Sequence, residues 1–230
     1  MSWPGSSHAT RRLTGGRPWA PPASSNPRRW RLGLAALAWL CLLSPPLRHA
    51  LESDMAPHML IQLPLLAGCG WLLAAAIPAP VRARIAPWNQ QGISGLLLAS
   101  LVMMLWMLPA ALDAALDQPW MTAAKFAGIP LLLGLPCALS WPQAGFIARG
   151  VFLAEFVATL FRTGWLYWVS PTRLCANYLL DAQKTTGIGL LAAGAVLLAL
   201  LLGGLIWGGG RPPTAPADRG NPAGPEDPGS

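Results

Sequence analysis

The chain has 230 residues, of which 53% are hydrophobic and only 11% are charged, with a net charge of +7. A soluble domain carries about 25% charged residues, so this chain has less than half of the usual polar cover. A soluble globule, a disordered chain and a disulfide scaffold therefore all fit poorly. The composition predicts an all-α, polytopic transmembrane helix bundle, with the lipid bilayer as its first partner.

Six segments are apolar enough to be predicted as membrane spans, since a crossing helix needs roughly 20 mostly apolar residues. They are 30–51, 55–79, 92–112, 122–141, 145–169 and 187–207. The segments 1–29 and 208–230 flank them and are rich in Pro and Gly. We predict that both are disordered tails, because neither can bury enough apolar surface to offset the entropy of ordering.

The first predicted span is the weakest of the six. Its uninterrupted apolar run, 32–43, is followed by Ser44, Pro45 and Pro46. A basic lead-in before a short apolar run is also typical of a cleaved signal peptide. A retained helix and a signal peptide both stay open here, and either one leaves the orientation of the remaining spans unchanged.

The distribution of basic residues predicts that both chain ends are cytoplasmic. With the N-terminus inside, eleven of the 16 Lys and Arg residues fall in inner segments, three fall in outer loops, and Lys125 and Arg162 fall within spans. Such a bias sets membrane orientation. The net charge then requires no nucleic acid, because the inner basic residues would face anionic lipid.

The start of the second span carries the first group of candidate site residues. Met55, His58, Met59 and Gln62 are three or four residues apart and so share one helix face. His58 would lie about 5 Å below the outer edge of the span. An interfacial histidine with apolar neighbours is one interpretation. A metal site is the other, since imidazole and thioether ligands together suit Cu(I).

Methionines in the third and fourth spans form a second group. Met107 is predicted about 9 Å below the outer edge of its span. Met121 opens the fourth span, and Lys125 lies one turn deeper. Methionine in such helices ordinarily fills packing gaps. The shared outer depth of His58, Met107 and Met121 favours the alternative, a functional and metal-binding cluster.

The fifth span carries two ionisable residues, Glu155 and Arg162. Ionised groups inside a membrane are costly and usually face the bundle interior. Glu155 is predicted to lie near the midplane. The two are about 10 Å apart along the helix axis, which predicts that they are too distant to pair unaided. Arg162 would extend to the outer interface instead. A structural role and a proton- or metal-related role for Glu155 stay open.

Four short segments follow one another in a characteristic order. They are His58-Met59-Leu60-Ile61-Gln62, Trp106-Met107-Leu108-Pro109 with Asp113 after it, Met121 with Lys125, and Asp181-Ala182-Gln183 before the last span. This order and spacing resembles the CtaG-type cytochrome c oxidase assembly factors, which are multi-spanning bacterial membrane proteins. The pattern of that family has five histidines. Four of them fall at the positions of Gln62, Met107, Met121 and Lys125, so only the histidine at His58 is present in this chain. Family members commonly have seven spans, and six are predicted here.

The resemblance implies an accessory role at the outer face of the bacterial inner membrane. The chain would deliver copper to a haem–copper oxidase or assemble it, with oxidase subunits as partners, and no catalysis is implied. The Cu(I) ligands on this interpretation are His58, Met59, Met107 and Met121. The other polar candidates are Gln62, Asp113, Lys125, Glu155, Arg162 and Asp181.

Two further classes of function stay open from the residues alone. A small transporter would place polar groups near the midplane on interrupted helices, and Glu155 with Pro64, Pro130 and Pro136 supports it. A structural membrane subunit needs no site at all. An enzyme is not expected, because no nucleophile with a neighbouring base and no complete ligand set is visible in the sequence.

Overall fold

The computed structural model of the chain describes residues 27–208, so the predicted tails lie outside the described residues except at 27–29 and 208. Within that range the fold is all-α, as predicted, and contains eight helices. These are α1 (Pro27–Leu43), α2 (Pro45–Glu52), α3 (Met55–Ala76), α4 (Ala79–Trp106), α5 (Pro109–Asp117), α6 (Pro119–Ser140), α7 (Phe146–Val169) and α8 (Leu180–Gly208). Residues 170–179 form a loop between α7 and α8.

Three of the described helices are individually long and apolar enough to cross a membrane. They are α3, α6 and α8. The pairs α1–α2 and α4–α5 also qualify if each bent pair is counted as one span, which gives three to five candidate spans among residues 27–208. The prediction of a multi-pass membrane protein is confirmed at this level.

Two spans predicted as continuous helices are bent. The predicted span 30–51 turns by 68° between α1 and α2, and the span 92–112 is broken by a 71° turn between α4 and α5. Pro45 and Pro109 follow the breaks, and the residue before each, Ser44 and Leu108, is extended with ψ of 134° and 129°. Proline drives the preceding residue out of the helical region, which explains both turns.

The fifth predicted span, 145–169, is a helix in the structure, but it is not apolar enough to count as a candidate membrane span. Helix α7 has 24 residues, enough to cross a bilayer in length. Arg149, Glu155 and Arg162 lower its hydropathy, and it is not among the helices apolar enough to cross a membrane. Instead it packs against α8, with Gly164 close to Gly187 and Leu160 close to Gly194.

Helices α3 and α6 each contain a widened π turn ahead of a proline. The turn of α3 covers His58–Gln62 and precedes Pro64, and that of α6 covers Ile129–Gly134 and precedes Pro136. A proline ring clashes with the carbonyl four residues earlier, and a wider turn relieves that clash. In α3 the π turn is also the segment that holds the buried side chains of His58 and Gln62.

Glycines allow close backbone contact in two pairs of packed helices, α3 with α6 and α7 with α8. A Cβ on Gly70 of α3 would lie 2.0 Å from the Pro130 carbonyl oxygen of α6, and one on Gly134 would lie 2.0 Å from the Ala67 oxygen. Gly164 and Gly187 meet in the same way between α7 and α8, at 2.9 and 2.8 Å. Small residues let membrane helices approach closely, as they do here.

A small polar junction joins two helices at the end of the bundle opposite the loop 170–179. Helix α4 is interrupted at Asn89, Gln90 and Gln91. The Asn89 side chain accepts the Gly95 N–H at 3.0 Å and donates to Ser140 Oγ at 3.0 Å. Gly92 has φ of +70°, a conformation that glycine adopts without strain. The junction ties the interrupted helix to the end of α6.

Candidate functional site around the Lys125 ammonium

A buried polar cluster lies next to the loop 170–179. We call it the Lys125 cluster, and its members are Glu52, His58, Gln62, Lys125 and Tyr178. Glu52 ends α2, His58 and Gln62 come from the π turn of α3, Lys125 from α6, and Tyr178 from the loop. The side chains of His58, Gln62 and Lys125 are completely buried, and Tyr178 is 6% exposed. Four separate parts of the chain therefore meet at this point.

The Lys125 ammonium donates to three different acceptors. Its Nζ lies 2.5 Å from Glu52 Oε1, 3.1 Å from His58 Nε2 and 3.1 Å from Gln62 Oε1. An ammonium has three N–H donors and no acceptor. All three donors are thus used, which is the condition under which a buried cation is tolerated.

The hydrogen bonds fix the tautomer of His58. The Tyr178 hydroxyl donates to the Glu52 backbone oxygen at 3.0 Å, so it accepts from His58 Nδ1 at 2.8 Å. The proton of the neutral imidazole is then on Nδ1, and the Nε2 lone pair accepts from Lys125. Burial raises the pKa of Tyr178, which keeps its hydroxyl neutral and able to donate.

Glu52 is the anion of the cluster, and it has more than one cationic partner. Its Oε1 accepts from Lys125 and from Gln62 Nε2 at 3.2 Å, while its Oε2 accepts from Arg48 Nε at 2.9 Å. Both cations also lie over the Phe126 ring, Arg48 at 5.8 Å and Lys125 at 5.1 Å from its centre. Such a position over an aromatic face is favourable for a cation.

The structure brings three predicted site residues into contact and places the methionines elsewhere. His58 and Gln62 both accept hydrogen bonds from Lys125 within the cluster. Met59 and Met107 line a separate apolar cavity of about 380 Å³ between α3, α4, α6, α7 and α8. Met121 packs against the main core near the start of α6. The four candidate copper ligands are therefore divided among the polar cluster, the apolar cavity and the main core.

The other motif residues hold the loop that carries Tyr178. The Asp113 carboxylate accepts the Ala176 N–H at 2.7 Å and the Asn177 N–H at 3.4 Å. Gln183, which is buried, accepts the Leu174 N–H at 2.8 Å. Asp181 is exposed in the first turn of α8. Asp113 and Gln183 thus fix the loop on both sides of Cys175.

The prediction that Glu155 and Arg162 are too far apart to pair was wrong. Arg162 Nη2 donates directly to Glu155 Oε1, and Thr159 between them bonds to both at 3.2 Å. Helical side chains lean towards the N-terminus, so a long arginine reaches back almost two turns. The expectation that Glu155 faces the bundle interior was wrong too, because its side chain is 41% exposed and that of its partner Arg162 is 64% exposed.

The residues of the cluster do not fit a copper ion at His58. Tyr178 and Lys125 take up both ring nitrogens, and the ammonium 3.1 Å from Nε2 would repel a metal cation placed there. Among residues 27–208, no three His, Cys, Asp or Glu side chains come together as a metal site. Thioether ligands from Met59 and Met107 are directed to the apolar cavity instead.

Sequence reasoning missed Glu52 and Tyr178 as members of the cluster, and Arg48 as the second cationic partner of Glu52. A lysine inside a span requires a counter-ion, so Lys125 was itself a signal that an acidic residue lay nearby. Five acidic residues occur in or beside the predicted outer loops: Glu52, Asp54, Asp113, Asp117 and Asp181. Nothing in the sequence distinguishes Glu52 from the other four, and Tyr178 reaches the cluster only through the fold of its loop.

Cys175, in the same loop, is expected to react slowly with thiol reagents. The residue is 1% exposed, and burial, assisted by the Asp113 carboxylate, raises its pKa to about 12. At about pH 8 its thiolate fraction should be about a thousandfold below that of an unperturbed cysteine. We expect maleimide labelling of a variant with Cys175 as its sole cysteine to be at least that much slower than in denaturing detergent. Equal rates in the two conditions would contradict this placement of the thiol.

The raised pKa of Cys175 also has a consequence for stability. Above about pH 9 the thiol ionises in the unfolded chain but not in the folded one. Stability is therefore expected to fall as the pH rises past that point, and Cys175→Ser should flatten the dependence. Thermal unfolding in detergent between neutral pH and about pH 10 measures both curves. Coincident slopes for the two proteins would be the contrary result.

Comparison of the chain with family models, with curated proteins and with solved structures gave no match. Between residues 27 and 208 the chain has an all-α fold with three to five candidate membrane spans, and the buried Lys125 cluster lies at one end of it.

Proposed function

We propose that the chain is a multi-pass membrane accessory protein that assists assembly of a haem–copper cytochrome c oxidase. One observation carries the proposal. The residues that carry the resemblance to the CtaG-type factors are far apart in sequence, yet His58, Gln62 and Lys125 are in contact, and Asp113 and Gln183 anchor the adjoining loop. Motif positions that converge in space support a common site more strongly than their order alone does.

The proposed topology has six crossings with both chain ends in the cytoplasm of a bacterial inner membrane. The bent pairs α1–α2 and α4–α5 would each count as one crossing, and α7 would be the sixth, since it packs along α8. The excess of basic residues in the inner segments supports this orientation. The Lys125 cluster then faces the outer side of the membrane.

Copper handling is not part of the proposed mechanism. Lys125 supplies the cation at His58, so the chain would act by binding a partner and not by carrying Cu(I) at that position. The cluster holds α2, α3, α6 and the loop 170–179 in one arrangement, which presents a fixed outer surface. No bond is made or broken in such a role.

The exposed face of α7 supports binding to another membrane protein. Glu155 and Arg162 lie on that face, and an ion pair there would meet hydrocarbon if α7 crosses the bilayer as proposed. Charged groups at that depth are costly unless polar or protein surroundings cover them. A partner helix over this face would remove the cost.

Co-purification tests the proposal in the organism that carries the gene. A tagged chain, solubilised in mild detergent, is expected to bring down oxidase that is recognised by its reduced-minus-oxidised haem spectrum. The variant Glu155→Leu/Arg162→Leu should lose the haem signal, whereas Ile188→Ala, on the exposed surface of α8, should keep it. Haem-free eluates from the parent protein would count against an oxidase partner.

A further inference from the structure

The three acceptors around Lys125 Nζ have the composition of a metal-binding site. A carboxylate oxygen, a neutral imidazole nitrogen and an amide oxygen converge on one point at 2.5, 3.1 and 3.1 Å. Oxygen and imidazole ligands of this kind bind divalent ions such as Zn²⁺ and Co²⁺. A metal ion would need ligand distances of about 2.0–2.2 Å. Each of the three acceptors would therefore have to move inward by less than about 1.2 Å from its present distance to the ammonium.

The surroundings of the three acceptors resemble those of a metal site as well. Tyr178 holds the Nδ1 proton of His58 and so aims the Nε2 lone pair at the central cation. Metal-binding histidines are oriented in this way by a partner on the other ring nitrogen. Arg48 likewise fixes Glu52 through the oxygen that does not touch Lys125.

We infer that the Lys125 ammonium is a resident cation in a site built by Glu52, His58 and Gln62, and that this site binds a divalent metal ion once the ammonium is removed. The native chain is then independent of metal supply, because the covalently attached ammonium cannot dissociate. The inference stands on the geometry of the cluster and does not depend on the role in oxidase assembly.

Cobalt binding to a truncated variant tests the inference. Lys125→Ala removes the ammonium and leaves space, and the purified variant is expected to bind one equivalent of Co²⁺ with visible d–d absorption. The parent protein and Lys125→Met, which removes the charge but fills the space, should show no such band. Adding His58→Ala to Lys125→Ala should abolish it. A folded Lys125→Ala protein without the band, or an equal band in the parent, would overturn the inference.

A second measurement covers the case in which Lys125→Ala does not fold by itself. Propylammonium has the carbon and nitrogen atoms that the substitution removes. Zn²⁺ would supply a positive charge at the same point as a metal ion. Either one, supplied during solubilisation, is expected to restore helical circular dichroism and a cooperative thermal transition. If Zn²⁺ does not restore them, whether or not propylammonium does, the site does not bind a divalent metal ion and the inference is wrong.

Discussion

Lys125→Met is expected to lower the free energy of unfolding by about 3–5 kcal/mol, the cost of removing one partner from a buried ion pair. The substitution leaves Arg48 as the one cationic partner of Glu52 among the described residues and deprives His58 Nε2 and Gln62 Oε1 of their shared donor. His58 Nε2 and Gln62 Oε1 are then both buried without a donor. Equilibrium unfolding in detergent, followed by circular dichroism, measures the change.

A double-mutant cycle with Glu52→Gln isolates the ion pair. Because Lys125 Nζ and Glu52 Oε1 are in direct contact, the two substitutions should be strongly non-additive, and the double variant should be less destabilised than the sum of the singles. His49→Ala, one helical position from Arg48 and outside the cluster, serves as the control and should change stability by less than about 0.5 kcal/mol. Additive effects of Lys125→Met and Glu52→Gln would contradict the cluster as described.

Gly70→Ala is expected to have the second large effect, a destabilisation of about 3 kcal/mol, at the upper end of what overpacking costs. The added Cβ would lie 2.0 Å from the Pro130 carbonyl oxygen, and a backbone atom cannot move aside as the end of a side chain can. Helices α3 and α6 must separate, which also disturbs the Lys125 cluster between them. Thermal unfolding and the labelling rate of Cys175 report the two consequences.

Gly68→Ala provides the matched control for Gly70→Ala on the same helix. Nothing lies within 4 Å of a Cβ at Gly68. Alanine there should leave stability unchanged or raise it by up to about 1 kcal/mol, the difference in helix propensity. If both variants lost stability to the same extent, helix propensity and not the α3–α6 contact would be the cause, and the close packing would be refuted.

The membrane class and most helix positions could be predicted from the sequence, since both depend on local composition. The spans 55–79, 122–141 and 187–207 lie close to α3, α6 and α8. The bends were not predicted, although Pro45 and Pro109 mark them, because hydropathy averages over a window and does not register the backbone constraint of a single proline. The break at Asn89–Gln91, by contrast, lies between the predicted spans 55–79 and 92–112, where Pro87 and Gly92 flank a short polar run.

The candidate site was predictable in part for a related reason. Helical spacing and depth place His58, Gln62 and Lys125 at similar levels, and the structure brings them together. Depth alone also grouped Met107 and Met121 with His58, but their side chains lie in the apolar cavity and the core. Which way a side chain points depends on helix rotation and packing, which a single sequence does not specify.

Oxidase activity in membranes of a deletion strain tests the proposed role most directly. Loss of the gene is predicted to lower cytochrome c oxidation and the haem signal of the oxidase together, and the parent chain and Gly68→Ala should restore both. Lys125→Met should not, because it removes the cation that joins α2, α3 and α6. Unchanged oxidase activity and haem content after deletion would contradict the role in oxidase assembly, while leaving the fold and the Lys125 cluster as they are.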